Sequence, residues 1–236
     1  MHLKKVSLNP AQFSVRHHYP LNLRLFHENP AVEFPAPVTF FVGENGTGKS
    51  TLLRALCHKC GVYIWGGFEE PDRYERELLK AMTVEWANGP VPGSFFSSEL
   101  FHNFSEIVEE WEEADPGTID YFGGKSLVAQ SHGQSLMSYF QARYKIPGIY
   151  FLDEPETALS PRSQLELLKV LTHMGRAGHA QFIIASHSPV LLACPGACLY
   201  SFDSMPIRPV DYETTDYYRF YRDFMNHRDR FLNDAQ

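Results

Sequence analysis

Short apolar runs alternate along the chain with longer segments of amphipathic character. The short runs are rich in β-branched and aromatic residues, which predicts buried strands over residues 38–42, 149–152 and 181–186, and shorter edge strands over 199–202 and 207–212. The longer segments predict helices over residues 49–56, 72–88, 99–114, 133–145 and 161–177, and in the tail from residue 214. Strands that alternate with helices in this order predict an α/β fold with a mainly parallel central sheet and flanking helices.

The composition is that of a globular chain, with 44% hydrophobic and 21% charged residues among 236. No apolar run approaches the roughly 20 residues that a membrane helix needs, and the first residues lack the apolar core of a secretory signal. We therefore expect a single cytoplasmic domain over residues 1–236, without membrane insertion. The four cysteines are expected as buried free thiols rather than zinc ligands or disulfides; they are Cys57, Cys60, Cys194 and Cys198.

Negative charge is concentrated in one part of the chain. Residues 69–120 contain 14 acidic and three basic side chains, whereas the whole chain has a net charge of −7. This pattern predicts an acidic helical insertion over residues 69–130, and a solvated helical face is favoured over an acidic docking surface. A nucleic-acid footprint usually shows as a basic stripe, so this segment is not expected to contact DNA.

A glycine-rich segment directly follows the first predicted strand. Residues 43–50, GENGTGKS, fit the phosphate-loop pattern G-x-x-x-x-G-K-[ST] at every fixed position, between a strand and a helix. Glycines allow backbone N–H groups to point at phosphate oxygens, and the following helix adds its positive N-terminus. Lys49 is expected to reach the β- and γ-phosphates, and Ser50 to hold Mg²⁺. The predicted nucleotide-binding residues are Gly43, Glu44, Asn45, Gly46, Thr47, Gly48, Lys49, Ser50 and Thr51.

Polar side chains follow the next two predicted strands, at the sheet edge where parallel strands place their ligands. Asp153 and Glu154 come directly after residues 149–152. We expect Asp153 to support Mg²⁺ and Glu154 to act as the general base on the attacking water. His187 follows the third strand and is expected to bond the γ-phosphate and sense its loss.

Together with a further motif, these features resemble an ABC-type ATPase head of the P-loop NTPases. Residues 130–134, QSHGQ, are similar to the ABC signature SGGQ, with His132 in place of the first glycine, and residues 158–161 match the D-loop position. The closer similarity is to small stand-alone ATPases of the AAA/ABC type, which carry an SMC-like or DNA-repair-like head without its coiled coil. That similarity rests on residues 40–46, 131–133, 152–156, 184–189, 200–203 and 222–226.

The resemblance implies a mechanism shared between two copies of the chain. In ABC heads two ATP molecules are sandwiched in a two-fold symmetric dimer, and the signature of one protomer covers the nucleotide of the other. Ser131, Gly133 and Gln134 would therefore bind ATP in trans, as expected of a helix N-terminus that offers an anion site. ATP, Mg²⁺ and an ATP-dependent homodimer are the implied cofactors and partner, and loss of the γ-phosphate would loosen the dimer.

The sequence departs from the ABC pattern between the phosphate loop and the signature. Residues 13–129 contain no Gln, so the usual Q-loop glutamine is missing; the loop at residues 93–99 is the expected equivalent, with Ser94, Ser97 or Glu99 as substitutes. The aromatic residue that stacks on adenine is also unassigned, and Tyr19 and Phe26 are the candidates.

Three functions follow from this pattern. The leading one is a Mg²⁺-dependent ATPase that dimerises on ATP. The second is a nucleotide-switched scaffold that binds a protein or DNA with little turnover, which the missing Q-loop glutamine favours. The third and weakest is the ATPase subunit of a transporter.

Overall fold

The computed structural model describes residues 1–64, 70–130 and 132–233. Its strands are β1 (Leu3–Leu8), β2 (Ala31–Glu33), β3 (Val38–Val42), β4 (Met82–Trp86), β5 (Gly93–Ser97), β6 (Gly148–Asp153), β7 (Ala180–Ala185), β8 (Cys198–Ser201) and β9 (Arg208–Val210). Its helices are α1 (Arg24–Glu28), α2 (Lys49–Lys59), α3 (Arg73–Ala81), α4 (Ser98–Ala114), α5 (His132–Arg143), α6 (Pro161–Arg176), α7 (Pro189–Leu192), α8 (Asp216–Asn226) and α9 (Arg228–Asn233).

Six strands form the central sheet, in the order β5-β6-β7-β3-β8-β9. The first five are parallel, and only β9 at the edge runs antiparallel to its neighbour β8. Every residue of β3, β6 and β7 is buried, because helices and a second sheet cover both faces. The predicted α/β class with a mainly parallel sheet is therefore confirmed.

Alternate residues of β6 show how the two faces are filled. Ile149 and Phe151 pack in a core that includes α2 and the N-terminal residues, whereas Tyr150 and Leu152 pack in a second core with residues of α4, α5 and α6. Within the described part of the chain, no helix is both long and apolar enough to cross a membrane.

A small antiparallel sheet, in the order β2-β1-β4, lies outside the expectations from the sequence. The side chain of Gln181, fully buried on β7, joins this sheet to the central one. Its Oε1 accepts hydrogen bonds from the backbone N–H groups of His2 and Leu3, both at 2.8 Å, and its Nε2 donates to the Leu3 carbonyl at 2.9 Å. One buried amide therefore satisfies three backbone groups at the start of β1.

The acidic segment 69–130 is only partly helical. The helix expected over residues 72–88 ends at Ala81, and the remaining residues form β4, whose alternating burial suits one edge of the small sheet. The loop expected at residues 93–99 instead contains β5, which pairs with β6 in the central sheet. Both predictions were wrong because a pattern of only a few residues fits either a helix or a short apolar strand. Only pairing with neighbouring strands decides between the two.

We predict that Gln181→Met destabilises the fold. The substitution keeps the side-chain volume but leaves the N–H groups and carbonyl at the start of β1 without partners in a buried environment. We expect the free energy of unfolding to fall by about 2–4 kcal/mol, measured by urea denaturation. Gln12→Met, at an exposed position, is the matched control and should leave it unchanged. Equal stability of both variants would contradict the role given to Gln181.

Candidate nucleotide-binding site

The phosphate loop connects β3 to α2, and its glycines have a conformational reason. Gly43 has φ +148° and Gly48 has φ +97°, values that favour glycine. At Gly43 an added Cβ would also lie 2.8 Å from the Asp203 Oδ1 atom. The same carboxylate oxygen accepts a hydrogen bond from the backbone N–H of Glu44 at 2.7 Å. The close approach of Asp203 therefore requires a glycine at the first position of the loop.

Within the loop, Lys49 is directed back toward the backbone. Its Nζ donates hydrogen bonds to the Gly43 carbonyl at 2.6 Å and to the Glu44 carbonyl at 2.8 Å. Burial lowers the pKa of Lys49, and the surrounding carboxylates, first of them Glu154, oppose that shift. The ammonium group therefore lies at the loop, beside the N-terminus of α2, where two sources of positive potential coincide.

Ser50 and Asp153 are brought together, as the sequence analysis predicts for a shared metal site. Ser50 Oγ donates a hydrogen bond of 2.7 Å to Asp153 Oδ1, and an Arg54 nitrogen lies 3.7 Å from Asp153 Oδ2. Burial raises the pKa of Asp153, whereas the Ser50 hydrogen bond and the Arg54 charge lower it. One hydroxyl and one carboxylate in contact are hard oxygen donors that fit Mg²⁺, which binds few protein ligands and completes its shell with water and phosphate.

Glu154 has a strained backbone. With φ 47° and ψ 54°, it is the one non-glycine with positive φ among the residues that the structure describes. Its N–H donates to the Ala185 carbonyl at 2.9 Å, while its own carbonyl accepts from Ser98 Oγ at 3.1 Å and Thr157 Oγ1 at 2.9 Å. These contacts hold the left-handed conformation, which costs on the order of 1–2 kcal/mol for a residue with a side chain.

His187 lies beside Glu154, at the end of β7. Its Nε2 is 3.3 Å from Glu154 Oε1, and its backbone N–H donates to Glu156 Oε1 at 2.5 Å. Burial lowers the pKa of His187, the Lys49 charge lowers it further, and Glu154 opposes both. On the other side of the ring, Nδ1 lies 2.5 Å from the Tyr217 hydroxyl oxygen. The imidazole therefore joins the general-base candidate to a helix near the C-terminus.

The signature residues face a different space. Ser131 lies outside the described residues, so its predicted role stays a prediction. Gly133 and Gln134, at the start of α5, line an open polar cleft of about 610 Å³. The cleft also includes Ala158 and Ser160 of the predicted D-loop segment. The start of α5 and the predicted D-loop segment thus share one surface.

The remaining phosphate-loop residues lie where the motif predicts. Asn45 and Gly46 are exposed at the loop tip, and Thr47 Oγ1 donates to the Glu44 carbonyl at 2.9 Å. Thr51 Oγ1 lies 3.0 Å from the hydroxyl oxygen of Tyr19, whose side chain is 57% exposed beside the loop. Tyr19 thus stays a candidate for stacking on the base.

Phe26 was wrongly considered as an adenine-stacking residue. Its side chain is only 2% exposed and packs in the apolar core with α2. The sequence offers an aromatic ring at both Tyr19 and Phe26, but only the fold shows which of the two rings is accessible.

The structure also distinguishes among the three residues proposed to replace the missing Q-loop glutamine. Ser94 is buried within β5, and its Oγ accepts a hydrogen bond from the Tyr139 hydroxyl at 3.3 Å, so it does not reach the carboxylates. Glu99 is exposed on α4. Ser97 pairs in register with Asp153 and ends β5 beside the metal-site candidate. Ser97 is therefore the one of the three that the structure brings to the site.

Sequence reasoning missed four residues of the site, and one rule could have found two of them. Asp203 follows β8 and Glu156 follows β6, so both stand at the carboxyl edge of the sheet, where polar residues deserve inspection. Ser98 holds Glu154 through its backbone carbonyl, and Tyr217 contacts His187 from a helix. No local pattern marks those two, because only tertiary packing brings them to the site.

We predict that Glu154→Gly, which removes the carboxylate, gives a more stable fold than Glu154→Ala. Glycine adopts the left-handed conformation without the Cβ conflict, so the variant should exceed Glu154→Ala in free energy of unfolding by about 1 kcal/mol. Glu154→Ala is the matched control, because it removes the same charge but keeps the Cβ. Urea denaturation of both variants measures the difference, and equal stability would show that the backbone at this position carries no strain.

Comparisons with known proteins agree with this geometry. Residues 21–75 match a family profile described as "AAA domain", and residues 135–193 match one described as "AAA domain, putative AbiEii toxin, Type IV TA system". Together the two segments contain the phosphate loop, both carboxylates and His187. The ferric enterobactin transport ATP-binding protein FepC of Escherichia coli is 27% identical over 168 residues, which cover 63% of this chain and 62% of FepC.

Solved structures show the same fold. The SMC head domain from Thermotoga maritima aligns with a TM-score of 0.52 and 16% identity over 89% of this chain and 100% of that domain. A nucleotide-free ATP-binding cassette from an ABC transporter aligns with a TM-score of 0.52 and 12% identity over 90% of this chain and 93% of the cassette. With the phosphate loop and the sheet order described above, these similarities show the fold of ABC-type ATPase heads and support a P-loop ATPase of that type.

Proposed function

We propose that the protein binds and hydrolyses ATP with Mg²⁺ and that two copies of the chain assemble around the nucleotide. The observation that carries this proposal is the convergence of Lys49, the Ser50–Asp153 pair and the Glu154–His187 pair at one edge of the sheet. These groups supply phosphate binding, metal ligands and a base beside one another, which is what phosphoryl transfer to water needs.

The phosphate loop would bind the triphosphate through its backbone N–H groups and Lys49. On nucleotide binding, the Lys49 ammonium would exchange the Gly43 and Glu44 carbonyls for phosphate oxygens, a stronger charge-assisted partner. Ser50 and Asp153 would hold Mg²⁺, which neutralises charge on the phosphates when bound. The Asp203 hydrogen bond to the Glu44 N–H fixes the start of the loop during this exchange.

Glu154 would take the proton of the attacking water. Its carboxylate stands at the end of β6, one residue past the metal ligand, and its backbone is held by contacts from β7, Ser98 and Thr157. His187 Nε2, 3.3 Å from the Glu154 carboxylate, can donate to that group or to a γ-phosphate oxygen. Loss of the γ-phosphate would remove a partner of His187 and signal completion of the reaction.

A second copy of the chain would complete the site. The cleft lined by Gly133, Gln134 and Ser160 contains the N-terminal end of α5, where the helix dipole attracts anions. The cleft's lining residues come from α5 and from the segments around it, not from the phosphate loop. A two-fold arrangement would bring this cleft over the partner's γ-phosphate, the role that the sequence analysis predicts for the signature.

A nucleotide-switched scaffold is the second candidate. Residues 13–129 contain no Gln, and the end of β5 beside Asp153 carries Ser97 and Ser98 instead. A shorter hydroxyl would orient the attacking water less well than a longer amide, which favours slow turnover and a long-lived ATP-bound dimer that grips a protein or DNA. Turnover that is negligible for the chain alone and rises with an added partner would support this candidate.

A transporter role is the weakest alternative. FepC is named for transport, and the chain spans about 62% of the length of FepC. We propose instead a cytoplasmic protein that works without membrane subunits, because the Q-loop glutamine that usually connects such heads to membrane subunits is missing. Recovery of the chain in complex with an integral membrane protein from solubilised membranes would favour the transporter role.

We predict that Glu154→Gln binds ATP but lowers kcat by about a hundredfold or more, because the amide cannot accept the proton from water. Light scattering with Mg-ATP should then show twice the monomer mass, since the dimer is not released by hydrolysis. Adding Lys49→Ala to the same variant is the control and should return the monomer mass. Wild-type turnover in Glu154→Gln would contradict the role of Glu154, and a monomer with ATP would contradict the homodimer.

We also predict that two inactive variants restore activity when they are mixed. Lys49→Ala removes phosphate binding, and Ser131→Arg blocks the signature, so each variant alone should be inactive. A mixed dimer contains one intact site, built from the phosphate loop of one chain and the signature of the other. Hydrolysis should therefore reappear on mixing. No recovery, with both variants folded by circular dichroism, would contradict catalysis in trans.

A further inference from the structure

The side chain of Tyr217 reaches the candidate site from α8, a helix that follows every strand in the sequence. Its hydroxyl oxygen lies 2.5 Å from His187 Nδ1 and 3.5 Å from the Gly43 carbonyl oxygen. The two rings meet edge to face, with centroids 5.2 Å apart and an interplanar angle of 73°. A direct contact therefore connects the last long helix both to the histidine and to the phosphate loop.

The direction of the hydrogen bond follows from the group on the other side of the imidazole. His187 Nε2 is 3.3 Å from a Glu154 carboxylate oxygen, so a lone pair on Nε2 would face negative charge. A proton on Nε2 turns this contact into attraction, and a neutral imidazole then has a lone pair on Nδ1. The Tyr217 hydroxyl has one proton, and the 2.5 Å contact with Nδ1 takes that proton in preference to the 3.5 Å contact with the Gly43 carbonyl oxygen. In this one tautomer Nδ1 accepts the hydrogen bond and Nε2 presents a proton, not a lone pair, on the side of the Glu154 carboxylate.

We propose that Tyr217 is a positioning residue that holds His187 as the neutral tautomer protonated on Nε2. In this form the Nε2 proton lies on the side of the ring that is close to Glu154, where a γ-phosphate oxygen would also be reached. The consequence for hydrolysis rests on the proposed function, whereas the tautomer itself is a property of the protein without nucleotide.

Charged groups from every neighbouring element support the same arrangement. Burial, together with nearby carboxylates, raises the pKa of Tyr217 to about 12, so its hydroxyl keeps the proton at neutral pH. The groups that face His187 are Lys49 and Glu44 of the phosphate loop, Glu154 and Glu156 after β6, and Tyr217 of α8. Burial and the Lys49 charge lower the pKa of His187 and so disfavour a second proton on the imidazole. The neutral ring then carries its one proton on either Nδ1 or Nε2.

Contacts outside the site hold Tyr217 in place. Thr215 caps α8, with its Oγ1 accepting from the Tyr218 N–H at 3.3 Å and donating to the Tyr212 carbonyl at 2.7 Å. Tyr212 in turn donates its hydroxyl proton to the Pro189 carbonyl at 2.8 Å. Removal of the Tyr217 hydroxyl alone should therefore leave α8 in position, and Tyr217→Phe tests the hydrogen bond rather than the fold.

Tyr218 offers a matched control one residue away. It is half-buried like Tyr217, but its ring packs on Tyr212, with centroids 4.8 Å apart, and no described contact joins it to His187. Tyr218→Phe thus removes a hydroxyl from the same helix without touching the histidine.

The test is nitrogen NMR of histidine-labelled protein without nucleotide, at about pH 8, where a histidine with a lowered pKa is neutral. Protonated and unprotonated ring nitrogens have well-separated shifts, and comparison with His187→Gln assigns the His187 signals. The wild type and Tyr218→Phe should show the proton on Nε2, and Tyr217→Phe should show a mixture of tautomers. A wild type with the proton on Nδ1, or a Tyr217→Phe spectrum equal to the wild type, would overturn the proposal.

The second measurement is ATP hydrolysis by the same proteins. Tyr217→Phe should lower kcat about five- to tenfold, the effect of one lost hydrogen bond, with KM unchanged. Tyr218→Phe should retain both constants. A changed tautomer with unchanged kcat would overturn the catalytic consequence of the proposal. A wild type that neither binds nor hydrolyses ATP would overturn the proposed function instead, while the NMR result would still decide the role of Tyr217.

Discussion

The position of β7 between β3 and β6 is the constraint on which the rest of the site depends. Because these three strands are parallel and adjacent, the phosphate loop, the paired carboxylates and the histidine all emerge at one edge of the sheet. Helix α2, which follows the phosphate loop, packs over β7 and β6, so Ser50 reaches Asp153 at the end of β6 with a hydrogen bond of 2.7 Å. A different strand order would leave the same motifs in the sequence but separate them in space.

Local patterns explain why much of the site could be predicted from the sequence. The phosphate loop needs glycines at positions that its own backbone defines, and carboxylates after an apolar strand lie at the ligand-binding edge in any open parallel sheet. Other features could not be predicted because they depend on tertiary partners. These are the strands β4 and β5, and the exposure of Tyr19 as opposed to the burial of Phe26. Tyr217 lies in the same class, because nothing in its own helix indicates which histidine it meets.

The structure also shows where stability is exchanged for chemistry. Glu154 keeps a left-handed backbone because three neighbours hold it, and Lys49 is buried against backbone carbonyls. Both groups cost free energy in the folded protein, and the proposed function gives each of them a role at a substrate with multiple negative charges. The well-satisfied parts of the molecule, such as the Gln181 contacts on the opposite edge of the same strands, can offset that cost.

The place of Tyr217 in the chain has a consequence for biosynthesis. The ribosome makes the strands of both sheets, the phosphate loop and His187 before it makes α8, because Tyr217 follows β9 in the sequence. During that interval a nascent chain can begin to fold its sheet while His187 lacks its hydroxyl partner. The phosphate loop and His187 are thus synthesised before Tyr217, and a chain that ends before α8 lacks the hydrogen bond between Tyr217 and His187.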